Sequence, residues 1–299
     1  MRVLAFIQLT RPLFLVGGAL LYGLGAAIAH SAGWPIDWRR YLLGQIIVTS
    51  IQMMTHYANE YFDLEVDRVL GASRTWFSGG SGVLPAGKLA PRVALNAARS
   101  MALIALVLIA VTWIVEPAMS VIGIVALFGG WFYSAPPIRL AASGFGELAT
   151  ALITAVFVPL SGIVMQRGPI DARLIAVALP LVLLSIAMLI AFQFSDYDAD
   201  HQTGKRNLTV RLGRRRAGQL HSGLLLAALA AIWIAASAHW LDPRIAGWSL
   251  IALPLAVWQF SIVAWRATRS GRGDWRLHAG GLGLFALTAT AFLAGFLVS

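Results

Sequence analysis

The 299-residue chain contains no cysteine. That excludes disulfides, thiolate metal sites and a cysteine nucleophile. Charge is scarce as well. Charged residues make up 12% of the chain, about half of what a soluble domain carries. Hydrophobic residues reach 59% and the mean hydropathy is +0.75. No polar stretch is long enough for a separate soluble domain, and the alternating polarity of β-barrel strands is missing too. Acids are the scarcest group, 13 against 23 Lys and Arg.

What the chain has instead is a series of long apolar runs, each near the roughly 20 residues a helix needs to cross the hydrocarbon. They fall at about 12–31, 41–62, 93–114, 118–134, 146–166, 173–194, 217–238, 246–265 and 278–298. The composition therefore predicts an all-α, polytopic membrane protein with about nine transmembrane helices. The first run is read as a retained span and not a signal peptide, because its apolar part is long and further spans follow.

A net charge of +10 invites a nucleic-acid reading, but its distribution points elsewhere. With the N-terminus in the cytoplasm, all but five of the 23 basic residues lie on the cytoplasmic side. The five are Arg39, Arg40, Arg167, Arg173 and Arg244. The positive-inside rule accounts for this bias and predicts a multi-pass protein of the cell inner membrane, with no nucleic-acid partner. Arg214-Arg215-Arg216 reads as a topology and headgroup cluster.

The few acids are concentrated. Glu60, Asp63, Glu65 and Asp67 lie at and just past the end of the second run, and Asp196, Asp198 and Asp200 follow the sixth. Both segments fall on the predicted cytoplasmic side. Carboxylates beside a bilayer are costly and usually functional. Residues four apart share a helix face, so Asn59, Asp63 and Asp67 form one column of oxygen ligands and Asp196 and Asp200 a second. Hard oxygen ligands suit Mg²⁺, which also takes phosphate oxygens and waters. Arg68, Arg74, Arg139, Lys205, Arg206 and Arg211 are candidates to neutralise the remaining phosphate charge. This pattern points to making diphosphate a better leaving group. Tyr57, Tyr61, Phe62, Tyr133, Phe192, Phe194 and Tyr197 supply aromatic faces that stabilise a cation. His56 reads as a packed polar residue. The Ser78-Gly79-Gly80-Ser81-Gly82 run lets backbone approach a ligand closely.

At these residues the chain resembles the UbiA superfamily of intramembrane aromatic prenyltransferases over nearly its whole length. Asn59-x-x-x-Asp63-x-x-x-Asp67 matches the first family motif, with Glu60 in place of the usual Asp, and Asp196-x-x-x-Asp200 matches the second. Tyr133-Ser134-Ala135-Pro136-Pro137-Ile138-Arg139 resembles the motif after the fourth span. The resemblance implies one domain over 1–299, with nine helices around a central cavity and cytoplasmic loops over the active site. The weak echo between the acid segments suggests two four-helix halves plus a ninth helix. It also implies Mg²⁺ on Asn59, Asp63, Asp67, Asp196 and Asp200, with those four Asp catalytic. A polyprenyl diphosphate would be bound with help from Asn59, Arg68, Arg74, Tyr133, Arg139, Lys205 and Arg206. An electron-rich acceptor attacks its allylic carbon.

The stretch from Asp200 through Gly204-Lys205-Arg206 to Gly213 is similar to that of 1,4-dihydroxy-2-naphthoate prenyltransferases of menaquinone synthesis, as is Gly144-Phe145-Gly146-Glu147. The chain departs from them at Phe192-Gln193 and at Ser195. Homogentisate, 4-hydroxybenzoate and a glycerol phosphate lipid stay open as acceptors, as do prenyl chain length and oligomeric state. A secondary transporter is the rival from another class, but it would need ionisable residues or broken helices near the midplane, and most spans lack central charges.

Overall fold

The computed structural model describes residues 2–71, 74–75, 79–266 and 275–299. Ser78 of the glycine-rich run, and Arg269 and Arg272 of the basic side, lie outside them. Among the described residues the secondary structure is helical, without strands.

The chain begins with α1 (Arg2–Thr10) and α2 (Pro12–Ser31). Arg11 joins them in the left-handed region (φ 55), and Pro12 starts α2 where its missing N–H costs nothing. Then come α3 (Trp38–Phe62), the short α4 (Leu64–Leu70), α5 (Pro91–Val115) and α6 (Pro117–Phe132). The second half runs through α7 (Leu140–Ser143), α8 (Gly146–Leu152), a π-helical turn over Ile153–Phe157, and α9 (Val158–Met165). It continues with α10 (Ala172–Gln202), α11 (Leu208–Ser237), α12 (Pro243–Trp248), α13 (Leu253–Arg266) and α14 (Trp275–Val298).

Seven described segments are long and apolar enough to cross a bilayer: 2–31, 91–115, 146–165, 172–202, 208–237, 243–263 and 275–298. Helix α6 is apolar but shorter, and α3 is long but carries Gln45, Gln52, His56 and Asn59. With these two, the described segments approximate the nine expected spans. One boundary differs clearly. The sixth apolar run ends near 194, yet α10 continues to Gln202. Helical hydrogen bonding does not stop where hydrophobicity does, so the second acid pair lies inside the helix, as its four-residue spacing requires.

Asp and Asn side chains cap the starts of three long helices, α3, α10 and α11. Asp37 accepts from the Arg39 and Arg40 N–H groups, Asp171 from Arg173, and Asn207 from Val210. Each satisfies a donor that the first turn leaves unpaired. Between helices, van der Waals contact and polar pairing must replace the hydrophobic effect, since lipid tails are as apolar as leucine. Gly25 and Gly162 show how. A Cβ on Gly25 would meet the Pro159 carbonyl, and one on Gly162 the Tyr22 carbonyl. Helices α2 and α9 therefore pack backbone to backbone. Around this contact Leu21, Leu24, Ile28, Ile163, Val177 and Leu181 form the largest apolar cluster.

The end of the bundle away from the acids is tied by ions. Arg40 and Arg167 both pair with Glu116, at 3.3 and 3.5 Å, and the Asp37 N–H donates to Gln166 Oε1 at 2.8 Å. Trp34, Trp38, Trp240 and Trp248 are exposed there, as expected of an interfacial aromatic belt.

Candidate functional site

The first acid column begins where α3 ends. Asp63 leaves helical geometry (φ −96, ψ 7) and separates α3 from α4. The helical hydrogen bonds nonetheless continue through the break: Asp63 N–H donates to the Asn59 carbonyl and Asp67 N–H to the Asp63 carbonyl, both at 2.9 Å. Asn59 Nδ2 donates to Asp63 Oδ2 at 2.6 Å and to Ser134 Oγ at 2.9 Å. That leaves the amide oxygen of Asn59 as the group to face a cation. Asp63 and Asp67 are buried.

The second column sits on the last turns of α10. Its end forms a Schellman motif. Lys205 N–H donates to the Asp200 carbonyl and Gly204 N–H to the His201 carbonyl, while Gly204 takes the positive φ (73) that the turn requires. This reversal brings the Lys205 side chain back over its own helix end. Lys205 Nζ lies 3.6 Å from Asp200 Oδ1 and 4.0 Å from Asp63 Oδ2. Asn207 donates from Nδ2 to Asp200 Oδ2 while its own Oδ1 caps α11. Asp196 stands one turn earlier on α10 and adds its negative field at Lys205.

The two columns therefore meet across one ammonium group. Burial alone would lower the Lys205 pKa, but the Asp63 and Asp200 carboxylates outweigh it and raise it, so the side chain stays charged. Burial, with the Glu60 and Asp63 carboxylates nearby, pushes the Asp67 carboxyl up to about 8.

The roles of Glu147, Gln193 and Glu60 were not foreseen. Glu147, buried at the start of α8, accepts at Oε1 from Gln193 Nε2 and from the Leu208 N–H at 2.8 Å. Gln193 Oε1 accepts from the Thr209 hydroxyl at 2.7 Å. This knot joins α8, α10 and the start of α11, and so fixes the loop that carries Lys205. Its signal in the sequence was Glu147, an acid in an apolar surrounding, which was noted without a role. Tyr133 stands beside Thr150, Lys205, Glu147 and Asp63. Glu60 does not face the column; Ser81 donates to it through both N–H and hydroxyl.

The basic candidates divide. Lys205 is in the site, and Arg74 reaches the Gly80 carbonyl at 3.4 Å. Arg68 is turned to Glu65 (2.6 Å) and is exposed. Arg139 begins α7 with a left-handed backbone (φ 48) and is exposed. Arg206 is exposed, and Arg211 donates to its carbonyl at 2.9 Å. None of Arg68, Arg139 and Arg206 is within ion-pair distance of Asp63, Asp67 or Asp200 among the described residues. Arg214 pairs with Asp198 at 2.9 Å and lies over the Tyr197 ring, so it belongs to the fold as well as to the basic surface. His56 bonds to the Thr10 carbonyl at 3.1 Å and meets Phe14 edge-on, as a packed polar residue does.

No three His, Asp or Glu side chains close into a ready-made metal cage among the described residues. What the site offers are buried oxygens with spare lone pairs. Asp67 Oδ2 has no hydrogen-bond partner among the described residues, and Asp200 Oδ1 has none beyond its 3.6 Å ion pair with Lys205. Unsatisfied buried oxygens are costly, and carboxylate pairs that leave room for other ligands fit a Mg²⁺ shared with phosphate oxygens.

Fold and site together define a multi-pass helical membrane protein whose polar chemistry is gathered at one end of the bundle. The model of the UbiA prenyltransferase family matches residues 19–280, and the chain belongs to that family. It is a prenyltransferase. It is 31% identical to the 1,4-dihydroxy-2-naphthoate octaprenyltransferase of Mycobacterium tuberculosis, over 84% of this chain and 80% of that one. It is 28% identical to the enzyme of the same name from Mycobacterium leprae, over 83% and 78%. Among solved structures it is similar to a UbiA homolog from Archaeoglobus fulgidus bound to GPP and Mg²⁺, with a TM-score of 0.67, 17% identity and 99% and 100% of the two chains covered.

Proposed function

We propose that this enzyme transfers a polyprenyl group from its diphosphate to 1,4-dihydroxy-2-naphthoate, in menaquinone biosynthesis. The reaction is Mg²⁺-dependent and takes place at the cytoplasmic face of the cell inner membrane. The observation that carries the reading is the pair of acid columns meeting at Lys205. The naphthoate enzymes among its relatives support the acceptor.

In this reading Asn59, Asp63, Asp67, Asp196 and Asp200 hold Mg²⁺, which neutralises charge on the departing diphosphate when bound. Lys205 contributes a fixed ammonium at the same place, with no proton to gain or lose. Arg74 lies at the edge to take outer phosphate oxygens, and Arg68, Arg139 and Arg206 need to turn inward to share in this. Tyr133 presents its ring to the allylic cation beside Lys205. Each half of the chain supplies one column, which favours the reading of 1–299 as one domain of two four-helix halves plus a ninth helix.

The test is a product assay by mass spectrometry with purified protein, Mg²⁺, a set of prenyl diphosphates and a panel of acceptors. The expected product is the naphthoate ring carrying the prenyl group, at the mass set by loss of either a proton or CO₂ from the substituted carbon, with diphosphate released. Prenylation of homogentisate, 4-hydroxybenzoate or a glycerol phosphate lipid instead would keep the chemistry and overturn the pathway.

A further inference from the structure

Glu60 follows Asn59 directly, so it projects about 100° away from Asn59 around the helix, and Ser81 takes up its carboxylate. Glu60 is fully buried. Its carboxylate takes the Ser81 N–H on Oε1 and the Ser81 hydroxyl on Oε2, the latter at 2.7 Å. A buried carboxylate that receives two donors from one residue 21 positions away is a clasp between α3 and the glycine-rich run.

The clasp has a consequence for Asp67. Gly79, Gly80 and Gly82 all have positive φ (77, 66 and 74). At Gly80 the conformation is matched by a lack of space: a Cβ there would collide with Asp67 Oδ2 and lie 3.2 Å from Glu60 Oε1. The Gly80 backbone is thus wedged between the two carboxylates. Further ties hold the same segment. Gln8 Nε2 donates to the Ser81 carbonyl at 3.2 Å and Arg74 to the Gly80 carbonyl at 3.4 Å. Val83 and Leu84 are buried against Tyr57 and Ala58 of α3. Beneath this cover Asp67 is 6% exposed, with Oδ2 lacking a hydrogen-bond partner among the described residues.

We propose that Glu60 is a positioning residue: by clasping Ser81 it seats Gly79–Gly82 as a cover over Asp67, and this sets the affinity of the site for Mg²⁺ with diphosphate. The inference rests on the Mg²⁺–diphosphate reading above. Its physical basis is that a covered carboxylate oxygen without a partner gains more from a cation than one solvated by water. Once the clasp opens, water reaches Asp67 and that advantage is lost. A shorter Asp at position 60 would not span the same distance, so the Glu belongs with the serine–glycine run it holds.

The experiment uses the full-length protein in nanodiscs and three variants, Glu60→Gln, Ser81→Ala and Ser81→Thr. The first readout is hydrogen exchange over residues 79–84. The second is thermal stabilisation by Mg²⁺ titrated with inorganic diphosphate, at a pH above about 8 where Asp67 carries its charge. The third is kcat and KM for the prenyl diphosphate. Ser81→Ala is expected to lose protection over 79–84 and to need about tenfold more Mg²⁺ for half-stabilisation, the effect of losing a hydrogen bond to a charged group. Its KM should rise while kcat at saturating Mg²⁺ changes less than about threefold. Glu60→Gln, which keeps an acceptor oxygen, should fall between, and Ser81→Thr should restore the parent values. Unchanged protection in Ser81→Ala and Glu60→Gln would overturn the clasp. Lost protection with an unchanged Mg²⁺ requirement would overturn its role at Asp67. If the parent itself shows no stabilisation by Mg²⁺ and diphosphate, the metal reading fails and the affinity role with it, while hydrogen exchange still decides whether Glu60 holds the run.

Discussion

Lys205 reaches across the site to Asp63: Nζ lies 4.0 Å from Asp63 Oδ2, and the same atom is 3.6 Å from Asp200 Oδ1. One ammonium group thus neutralises carboxylates from two helices that are far apart in sequence. Without it, two buried like charges would face each other, an arrangement that strongly disfavours ionisation.

Lys205→Met should therefore destabilise the metal-free enzyme by about 2 kcal/mol, below the roughly 3–5 kcal/mol of a fully buried pair because the side chain is partly exposed. The apparent melting temperature should fall by several degrees. Mg²⁺ with diphosphate should narrow the gap, since added cations replace the lost one. A melting temperature equal to that of the parent without metal would show that the ammonium does not hold the columns together.

Asp63→Asn and Asp200→Asn should each lower turnover at least about a hundredfold, the scale on which losing one electrostatic stabiliser acts. Neither should unfold the protein, because each removes a buried charge as well as a partner. Initial rates at saturating Mg²⁺, together with elution as a single folded species, check both parts. Near-parental rates in either variant would sink the assigned roles.

If Asp67 holds Mg²⁺ as proposed, its raised pKa makes metal binding depend on pH. In the metal-free enzyme the group holds its proton below about 8, and coordination must displace it. The affinity for Mg²⁺ with diphosphate should rise up to about tenfold per pH unit below 8 and level off above. The linkage to stability has the opposite sign. Because the folded pKa lies above the unfolded value of about 4, the folded state binds more protons between these limits. Asp67 should then make the metal-free protein less stable as pH rises from about 4 to 8. Asp67→Asn should flatten both dependences, measured by thermal shift at several pH values.

Glu147→Ala should cost about 1–3 kcal/mol, since it strips a buried acceptor from Gln193 and from the Leu208 N–H. Glu147→Gln keeps an acceptor oxygen and should cost less. Thermal unfolding of the two variants side by side separates the loss of the knot from the loss of charge.

Much of this was legible in the sequence. Apolar runs near span length gave the helices because the bilayer demands internal hydrogen bonding whatever the detail. Four-residue spacing gave the columns because the helical period is fixed, and it held even through the break at Asp63. The boundaries of α10 were less accessible, because hydrophobicity reports the lipid and not the hydrogen bonds, which run on to Gln202. Residues that act across long sequence separations were hidden. Nothing local in Glu60 announces Ser81, and nothing in Gln193 announces Glu147 or Thr209. Among the basic residues, charge alone could not tell Lys205, turned inward by the Schellman reversal at Gly204, from Arg68, which pairs at the surface with Glu65.

The length of α10 sets how the enzyme meets its substrates. At 1.5 Å per residue, its 31 residues extend about 46 Å, well beyond the roughly 30 Å hydrocarbon layer. With the apolar run 173–194 in the hydrocarbon, the second acid pair lies on the overhang beyond it. On the proposed reading, a prenyl diphosphate would reach that height by lateral diffusion within the bilayer, and diphosphate would leave into bulk water. Turnover should then scale with the mole fraction of prenyl diphosphate in the bilayer, so that adding inert phospholipid slows the reaction even when the total amount of substrate is unchanged.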